Sequence, residues 1–216
     1  MFSITEENYL KAIFSLESNS GTVISTNHIA KKLETKASSV TDMIKKLALK
    51  NLLVYTKYKG VSLSSQGRKI ATSIVRKHRL WETFLVDKLG FNWDEVHDIA
   101  EQLEHIQSDK LILKLDSYLE YPQSDPHGDP IPDKDGLIRK ENRILLSDAK
   151  KGKEYKIIGI KDSSDSFLQY LDSLKINIKT KIKIVEKMTY DNSILLEVNG
   201  VSNTLSAKVC SNLFVI

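Results

Sequence analysis

The sequence predicts an α+β fold in three parts: an N-terminal winged helix-turn-helix, a helical middle and a small C-terminal β-barrel. Three observations carry this. Three short helical periodicities and two strand-like runs fit within the first 64 residues. A long stretch of helical spacing follows, closed by a segment that holds all four prolines. Beyond Arg139, short alternating or apolar runs replace the helical texture. The expected boundaries are 1–64, 65–140 and 141–216.

Over residues 4–18, Ile4, Tyr9, Leu10, Ile13, Phe14 and Leu16 fall close to helical spacing, Thr5 can cap, and SNSGT ends the helix. TNHIAKKL at 26–33 predicts a second, short helix. A third, over 39–50, is expected to be capped by Ser38 or Ser39 and to carry Val40, Ile44, Leu47 and Leu49. LLVYTKYKGVSLS predicts two strands turning near Lys59-Gly60. A long helix is expected from Ser65 to Leu89, ended by Gly90. The next is expected from Asn92 through WDEVHDIAEQLEHI, and another from Asp109 to Leu119. YPQSDPHGDPIPDKDG must be a loop or linker. In the tail, ILLSDA, EYKIIGI, KTKIKIVEKM and SILLEVNG are strand-like, with FLQYLDSL as a helical insert.

Composition narrows the class. Hydrophobic content of 41% is ordinary for a globular chain, and the lone Cys210 excludes an intramolecular disulfide framework, which suggests a reducing compartment. MFSITEENYLKAIF has no basic region ahead of an apolar stretch, so no signal peptide is expected. No apolar run is long enough to span a membrane, so a cytoplasmic location is expected. The net charge of +4 is unevenly spread: residues 26–60 carry +6 and residues 92–135 carry −9. A basic block ahead of an acidic one suits a polyanion partner and a cation partner; two solvated faces of opposite sign are the plainer reading.

A recognition helix presents short polar side chains to base edges in the major groove. Lys36, Ser38, Ser39, Thr41 and Asp42 fit that role, with Val40 and Ile44 turned to the core. Lys45 and Lys46 would reach phosphates, and the wing residues Tyr55, Lys57, Tyr58 and Lys59 mix cations with aromatics. The competing reading is a helical hairpin with a lysine-rich exposed face.

His78 and Glu82 are four apart and share a helical face. His97, Glu101, Glu104 and His105 fall within an arc of about 100° on the next predicted helix. This imidazole–carboxylate set suits manganese, ferrous iron or zinc, and no thiol lies nearby. A single His-x-x-x-Glu pair is more often a surface ion pair, but clustered carboxylates repel one another unless a cation sits among them. A metallo-hydrolase could use the same donors, although no catalytic triad or Gly-rich phosphate loop stands out.

The segments YLKAIFSLE, SSVTDMIKKLALKNLLVYTKYKGVSLSSQG, RKHRLWETFL, VHDIAEQLEHIQSD and DPHGDPIP occur in this order. Together they resemble the diphtheria-toxin-repressor and manganese-transport-regulator family over essentially the whole chain. The resemblance implies a homodimeric, metal-activated repressor of metal-uptake genes, with a helical dimerisation domain and an SH3-like (FeoA-like) tail. It implies a primary metal site of Glu101, Glu104 and His105 with Asn8 from the first helix, and an ancillary site of His78, Glu82 and His97. The Pro-His-Gly linker points to Asp125 and His127 as further ligands, and the tail to Asp162, less so Asp165.

Glu101 stands where iron-type members have Cys, which favours Mn2+ over Fe2+, with other divalent metals able to bind in vitro. Asn8 and Lys11 stand where manganese-type members usually have Asp and Glu, which argues against a closely spaced pair of manganese ions. The expected partners are a palindromic double-stranded DNA operator and a second copy of the chain, with no membrane, no small-molecule substrate and no enzymatic activity. The dimer expectation rests on Trp93, Val96, Ile99, Leu103, Leu111 and Leu115, an apolar face larger than one unit needs. A metal-independent winged-helix regulator responding to a small ligand is the alternative.

Overall fold

In the computed structural model the chain is described over residues 2–20, 23–56, 60–139 and 141–216. It divides into two compact units: residues up to His78 with Glu101–Ile112 and Pro132–Ile138, and Arg79–Ala100 with Leu113–Ile131 and Arg139–Ile216.

The first unit opens with α1 (Ile4–Ser20), α2 (Thr26–Lys32) and α3 (Ala37–Leu49). Strands β1 (Leu53–Thr56) and β2 (Gly60–Leu63) follow, then the start of α4 (Ser65–Leu89). The apolar periodicity does what it predicts. Leu10, Ile13, Ile29, Val40, Ile44, Leu47, Leu52 and Val61 close into one fully buried core. Ser25 caps α2, its side chain accepting from the His28 amide. The β1–β2 hairpin pairs Leu53 with Leu63 and Thr56 with Gly60. Ile24 and Val61 exchange backbone hydrogen bonds of 2.8 and 2.9 Å, so the segment before α2 pairs with the wing. Gly60 is needed there: its φ is +124°, and a Cβ would lie 2.7 Å from the Ile24 carbonyl oxygen.

One boundary differs from the sequence expectation. α3 starts at Ala37 with Lys36 as its cap, so Ser38 and Ser39 stand in the first turn rather than capping it. The Val40 amide already donates to the Lys36 carbonyl, which closes the first turn ahead of both serines.

The second unit contains the end of α4 and parts of α5 (His97–Leu103) and α6 (Asp109–Tyr118), whose other residues belong to the first unit. The helix expected to begin at Asn92 begins five residues later. Asn92 and Glu95 close a turn, the Asn92 amide donating to the Glu95 carboxylate at 2.9 Å. Trp93 is thereby released from helical geometry and packs on the core of the C-terminal sheet. Glu104 and His105 also lie beyond α5, in the turn after it, so the single helical arc predicted for four ligands is not formed.

The C-terminal part is β3 (Ile144–Leu145), a 3-10 turn (Leu146–Asp148), β4 (Glu154–Ile160), α7 (Asp165–Ser173), β5 (Lys181–Lys187), β6 (Ile194–Val198), β7 (Val201–Leu205), α8 (Ala207–Cys210) and β8 (Leu213–Val215). The strands form one antiparallel sheet in the order β3-β8-β4-β5-β6-β7, of the SH3-like type. Register shifts at Ile157/Gly159 and Ile184/Glu186 mark where strands bend to close around the core. Leu146, Leu171, Ile176, Ile184, Ile194, Leu205 and Leu213 fill that core with Cys210, whose thiol burial raises to about 11.

The proline-rich segment has no regular structure beyond a bridge between Ser124 and Pro130, yet Asp125, His127 and Ile131 are buried. Gly128 explains how the chain enters so closely. Its φ is +83°, and a Cβ would lie 2.0 Å from the Ile158 carbonyl oxygen on β4.

Candidate metal centres and nucleic-acid interface

The first unit presents α3 as the second helix of the helix-turn-helix. Lys36, Ser38, Ser39, Asp42, Lys45 and Lys46 are exposed along it, and Val40, Ile44 and Leu47 anchor its other face. Thr41 is half-buried and turns its hydroxyl back to the Ala37 carbonyl at 2.9 Å. Asp42 stands 3.8 Å from Lys45, an exposed pair that water and salt screen. Lys46 has a structural partner as well: with Lys50 it ties α3 to the buried Glu6 on α1, at 3.1 and 2.6 Å. The Lys50 hydrogen bond, against the opposing effect of burial, holds the Glu6 carboxyl down at about 2. The wing residues Lys57, Tyr58 and Lys59 lie outside the described residues.

Below the helix-turn-helix, the same unit gathers acids and imidazoles around Glu104, which is 1% exposed. The turn after α5 brings Glu104 and His105 against α1, and His78 reaches the group from α4. Oε2 of Glu104 receives His78 Nδ1 at 2.6 Å and the Lys11 ammonium at 2.6 Å. Lys11 also stands 3.4 Å from Glu101 and 3.1 Å from His78 Nδ1. An ammonium has no lone pair and the His78 Nδ1 proton is spent on Glu104, so the last contact is two donors converging on one oxygen. Burial acts to raise the Glu104 carboxyl, but His78 and Lys11 outweigh it and hold it below the usual range.

The other side of Glu104 faces His105, whose Nε2 lies 3.9 Å from Oε1. Metal–ligand bonds near 2.1 Å put neighbouring ligand atoms about 3–3.5 Å apart, so this pair needs to close by less than 1 Å. The donor set is therefore suited to a divalent ion of the manganese, iron or zinc kind. Glu101 is half-exposed and Asn8 half-buried. The residue of α1 that touches His105 is Glu7, with Oε2 2.6 Å from Nδ1. Sequence reasoning missed Glu7 and Gln107, because nothing in the local pattern tells which of Glu6, Glu7 and Asn8 meets a turn about a hundred residues away.

The second unit holds another group. Glu82, Asp125 and His127 are all buried, with candidate ligand atoms within 4.8 Å of one another. Glu82 Oε1 lies 3.8 Å from His127 Nδ1 and 3.5 Å from His97 Nδ1, and His97 is half-exposed. Asp125 is fixed by its own loop, one oxygen accepting from the amides of His127 and Asp129 at 2.9 Å each. Its other oxygen faces Arg79 at 3.4 Å. His127 Nε2 meets the Trp93 carbonyl oxygen at 2.8 Å, and the two rings stack. Burial and the neighbouring Glu82 and Asp129 charges push the Asp125 carboxyl up to about 7. For His127, burial acts downward, but Glu82 and Asp125 overcome it and raise the imidazole to about 9. Asp162 is half-buried and accepts from the Ser164 amide at 3.0 Å; among the described residues it is not part of the close group, nor is the exposed Asp165. His78 belongs to the first unit, whereas Glu82 and His97 belong to the second.

A helix-turn-helix in a chain that also gathers thiol-free imidazole–carboxylate clusters defines a metal-responsive DNA-binding protein. The comparisons agree. The chain matches the iron dependent repressor N-terminal DNA binding domain over residues 1–61, the iron dependent repressor metal binding and dimerisation domain over 64–133, and the FeoA domain over 144–216. It is 30% identical over 207 residues to the diphtheria toxin repressor of Corynebacterium diphtheriae, covering 91% of this chain and 89% of that one. Its match to the diphtheria toxin repressor of Corynebacterium jeikeium is 36% over 134 residues, which spans 62% of this chain and about half (55%) of the relative. A solved manganese-dependent transcriptional repressor in complex with manganese superposes with a TM-score of 0.87 at 34% identity, over 98% of this chain and 99% of that one. The manganese-activated repressor ScaR with bound Zn2+ gives 0.78 at 32% identity, over 98% of each. The chain belongs to the diphtheria-toxin-repressor family of metal-dependent transcriptional repressors.

Proposed function

We propose that this protein is a metal-dependent transcriptional repressor in which a divalent cation links the DNA-reading helices to the segment carrying Glu101, Glu104 and His105. One observation carries the reading: the buried Glu104 and the partly buried His105 meet α1 inside the unit that presents α3. Glu101, Glu104 and His105, with the half-buried Asn8, would hold the divalent ion, which would supply positive charge between the two carboxylates. The chain's own residues do the rest. Glu104 is held ionised by Lys11 and His78, and α1 carries any change at Glu104 and His105 to α3 through the Glu6 ties.

The finer parts of the proposal follow the donor chemistry. Carboxylate oxygens in place of a thiol favour Mn2+ as the physiological metal, with Fe2+ second. Two sites are proposed: Asn8, Glu101, Glu104 and His105 as the primary one, and Glu82, His97, Asp125 and His127 as the ancillary one. His78 stands one turn before Glu82 on α4 and is assigned to the ancillary set for that reason. With its Nδ1 proton directed at Glu104, its lone pair lies on Nε2. The assignment of domains to 1–64, 65–140 and 141–216 is proposed with these roles.

The chain is proposed to act as a homodimer on a palindromic operator in the cytoplasm, with recognition helices about 34 Å apart. Trp93, Val96 and Leu115 are used inside the chain, but Leu111, Leu113 and Tyr118 remain exposed along α6. Among the described residues no helix is long and apolar enough to cross a membrane.

The test is binding of the full chain to an operator with Mn2+ and after complete chelation. Affinity should fall by about 5- to 150-fold on chelation, the usual range for coupled sites. Equal affinity in both conditions removes the metal-dependent reading.

A further inference from the structure

We propose that Glu7 is the residue of α1 that sets the primary metal site, by holding His105 in the tautomer whose Nε2 faces Glu104. This rests on the metal-dependent reading above and assigns a positioning role to a residue outside the expected ligand set.

The geometry is specific. Glu7 is 4% exposed, far below what a solvated glutamate on a surface helix shows. Its Oε2 lies 2.6 Å from His105 Nδ1, and its Oε1 accepts from Gln107 Nε2 at 2.8 Å. Gln107 in turn donates to the His105 carbonyl at 3.2 Å, so both ends of the turn are tied to one carboxylate. A neutral imidazole carries a single proton. A carboxylate accepts only, so the proton stays on Nδ1 and the lone pair on Nε2. That nitrogen is the one 3.9 Å from Glu104 Oε1. A carboxylate behind a ligating imidazole fixes the ring and raises its basicity, and losing one typically weakens metal binding by about 10- to 100-fold.

The position of Glu7 adds a consequence. Glu7 and Lys11 are four apart on α1 and share a face, so one helix meets His105 with a carboxylate and Glu104 with an ammonium. Orientation of the primary site is therefore set from the DNA-binding domain itself. Glu7 neighbours Glu6, which anchors α3 through Lys46 and Lys50.

The experiment uses the full chain in a Glu82→Gln background, so that Mn2+ titration by electron paramagnetic resonance reports the primary site. Glu7→Ala should weaken Mn2+ binding by about 10- to 100-fold. Glu7→Gln keeps an acceptor oxygen without the charge and should lose less. In parallel, nitrogen-15 shifts of the His105 ring in the metal-free protein should show the Nδ1–H form in the parent and a mixture in Glu7→Ala. Mn2+ affinity within twofold of the parent in Glu7→Ala overturns the proposal, as does an unchanged ring tautomer. If Glu7→Ala does not fold, Glu7→Gln decides: a loss of threefold or more supports the role, and parental affinity overturns it. A parent that binds no Mn2+ defeats the metal-dependent reading instead, and the metal-free ring shifts still judge Glu7.

Discussion

The two imidazole–carboxylate groups of this chain balance their charge by different means. Around Glu104 the counter-charge is an ammonium, Lys11, delivered from α1, beside the His78 Nδ1 proton. Around Glu82 and Asp125 it is Arg79 together with a proton held on His127. A lysine keeps its charge across the physiological range, whereas a proton leaves as pH rises. The first group is therefore linked to the DNA-binding helices through α1. The second is linked to proton activity and lies on the Pro-His-Gly loop packed on the C-terminal sheet.

The largest effect expected from breaking this contrast is at Glu104. Glu104→Ala leaves Lys11 and His78 facing each other without their shared acceptor and should lower stability by on the order of 3 kcal/mol in urea unfolding. The same substitution should abolish the Mn2+ dependence of operator binding. A variant with parental stability and parental metal response would show that Glu104 does not anchor the first group.

The second prediction uses pH. Metal binding among Glu82, Asp125 and His127 must displace the His127 proton, held to about 9, and below about 7 the Asp125 proton as well. In a Glu104→Gln background, Mn2+ affinity should therefore rise about tenfold per pH unit between about pH 7 and 8, and more steeply below. Affinity independent of pH there would remove proton-for-metal exchange.

Metal-free stability should show opposite signs in the two units. Glu6 is depressed from 4.5 to about 2, so its contribution is complete above 4.5 and is lost as pH falls toward 2. His127 is raised from 6.5 to about 9, so its contribution is complete below 6.5 and is lost as pH climbs through 9. Glu6→Gln should thus destabilise at neutral pH and converge with the parent near the acid limit, read from thermal unfolding with pH.

The smallest effect compares two glycines. Gly90→Ala meets only a φ of +74° with open space around it and should cost about 1 kcal/mol. Gly128→Ala meets both a φ of +83° and a backbone oxygen at 2.0 Å, so it should cost more and also weaken the second metal group. Equal costs would mean that the loop can lift off β4 without penalty.

The local patterns were legible where one element decides them. The spacing of Val40, Ile44 and Leu47 places α3 and its exposed face, and the alternating runs after Arg139 place the strands. The boundary of α5 was not, because WDEVHDI has helical spacing but Trp93 finds its burial on the C-terminal core and its indole donates to Asp172 at 2.9 Å. His105 was legible as a donor, but its partner Glu7 was not: adjacent polar residues on α1 differ only in the direction they face once packed. The family resemblance points to Asp125 and His127, but their burial depends on Gly128 letting the loop against β4.

By itself the sequence determined the winged helix, the kind of donors and the absence of a thiol among them, because periodicity and residue chemistry are local properties. Which donors meet is a property of the folded chain. Glu104 and His105 leave the helix and divide between an ammonium and a carboxylate from α1, and Glu82 meets a loop some forty residues further along. Convergence of that kind is set by packing between distant segments, and no local pattern encodes it.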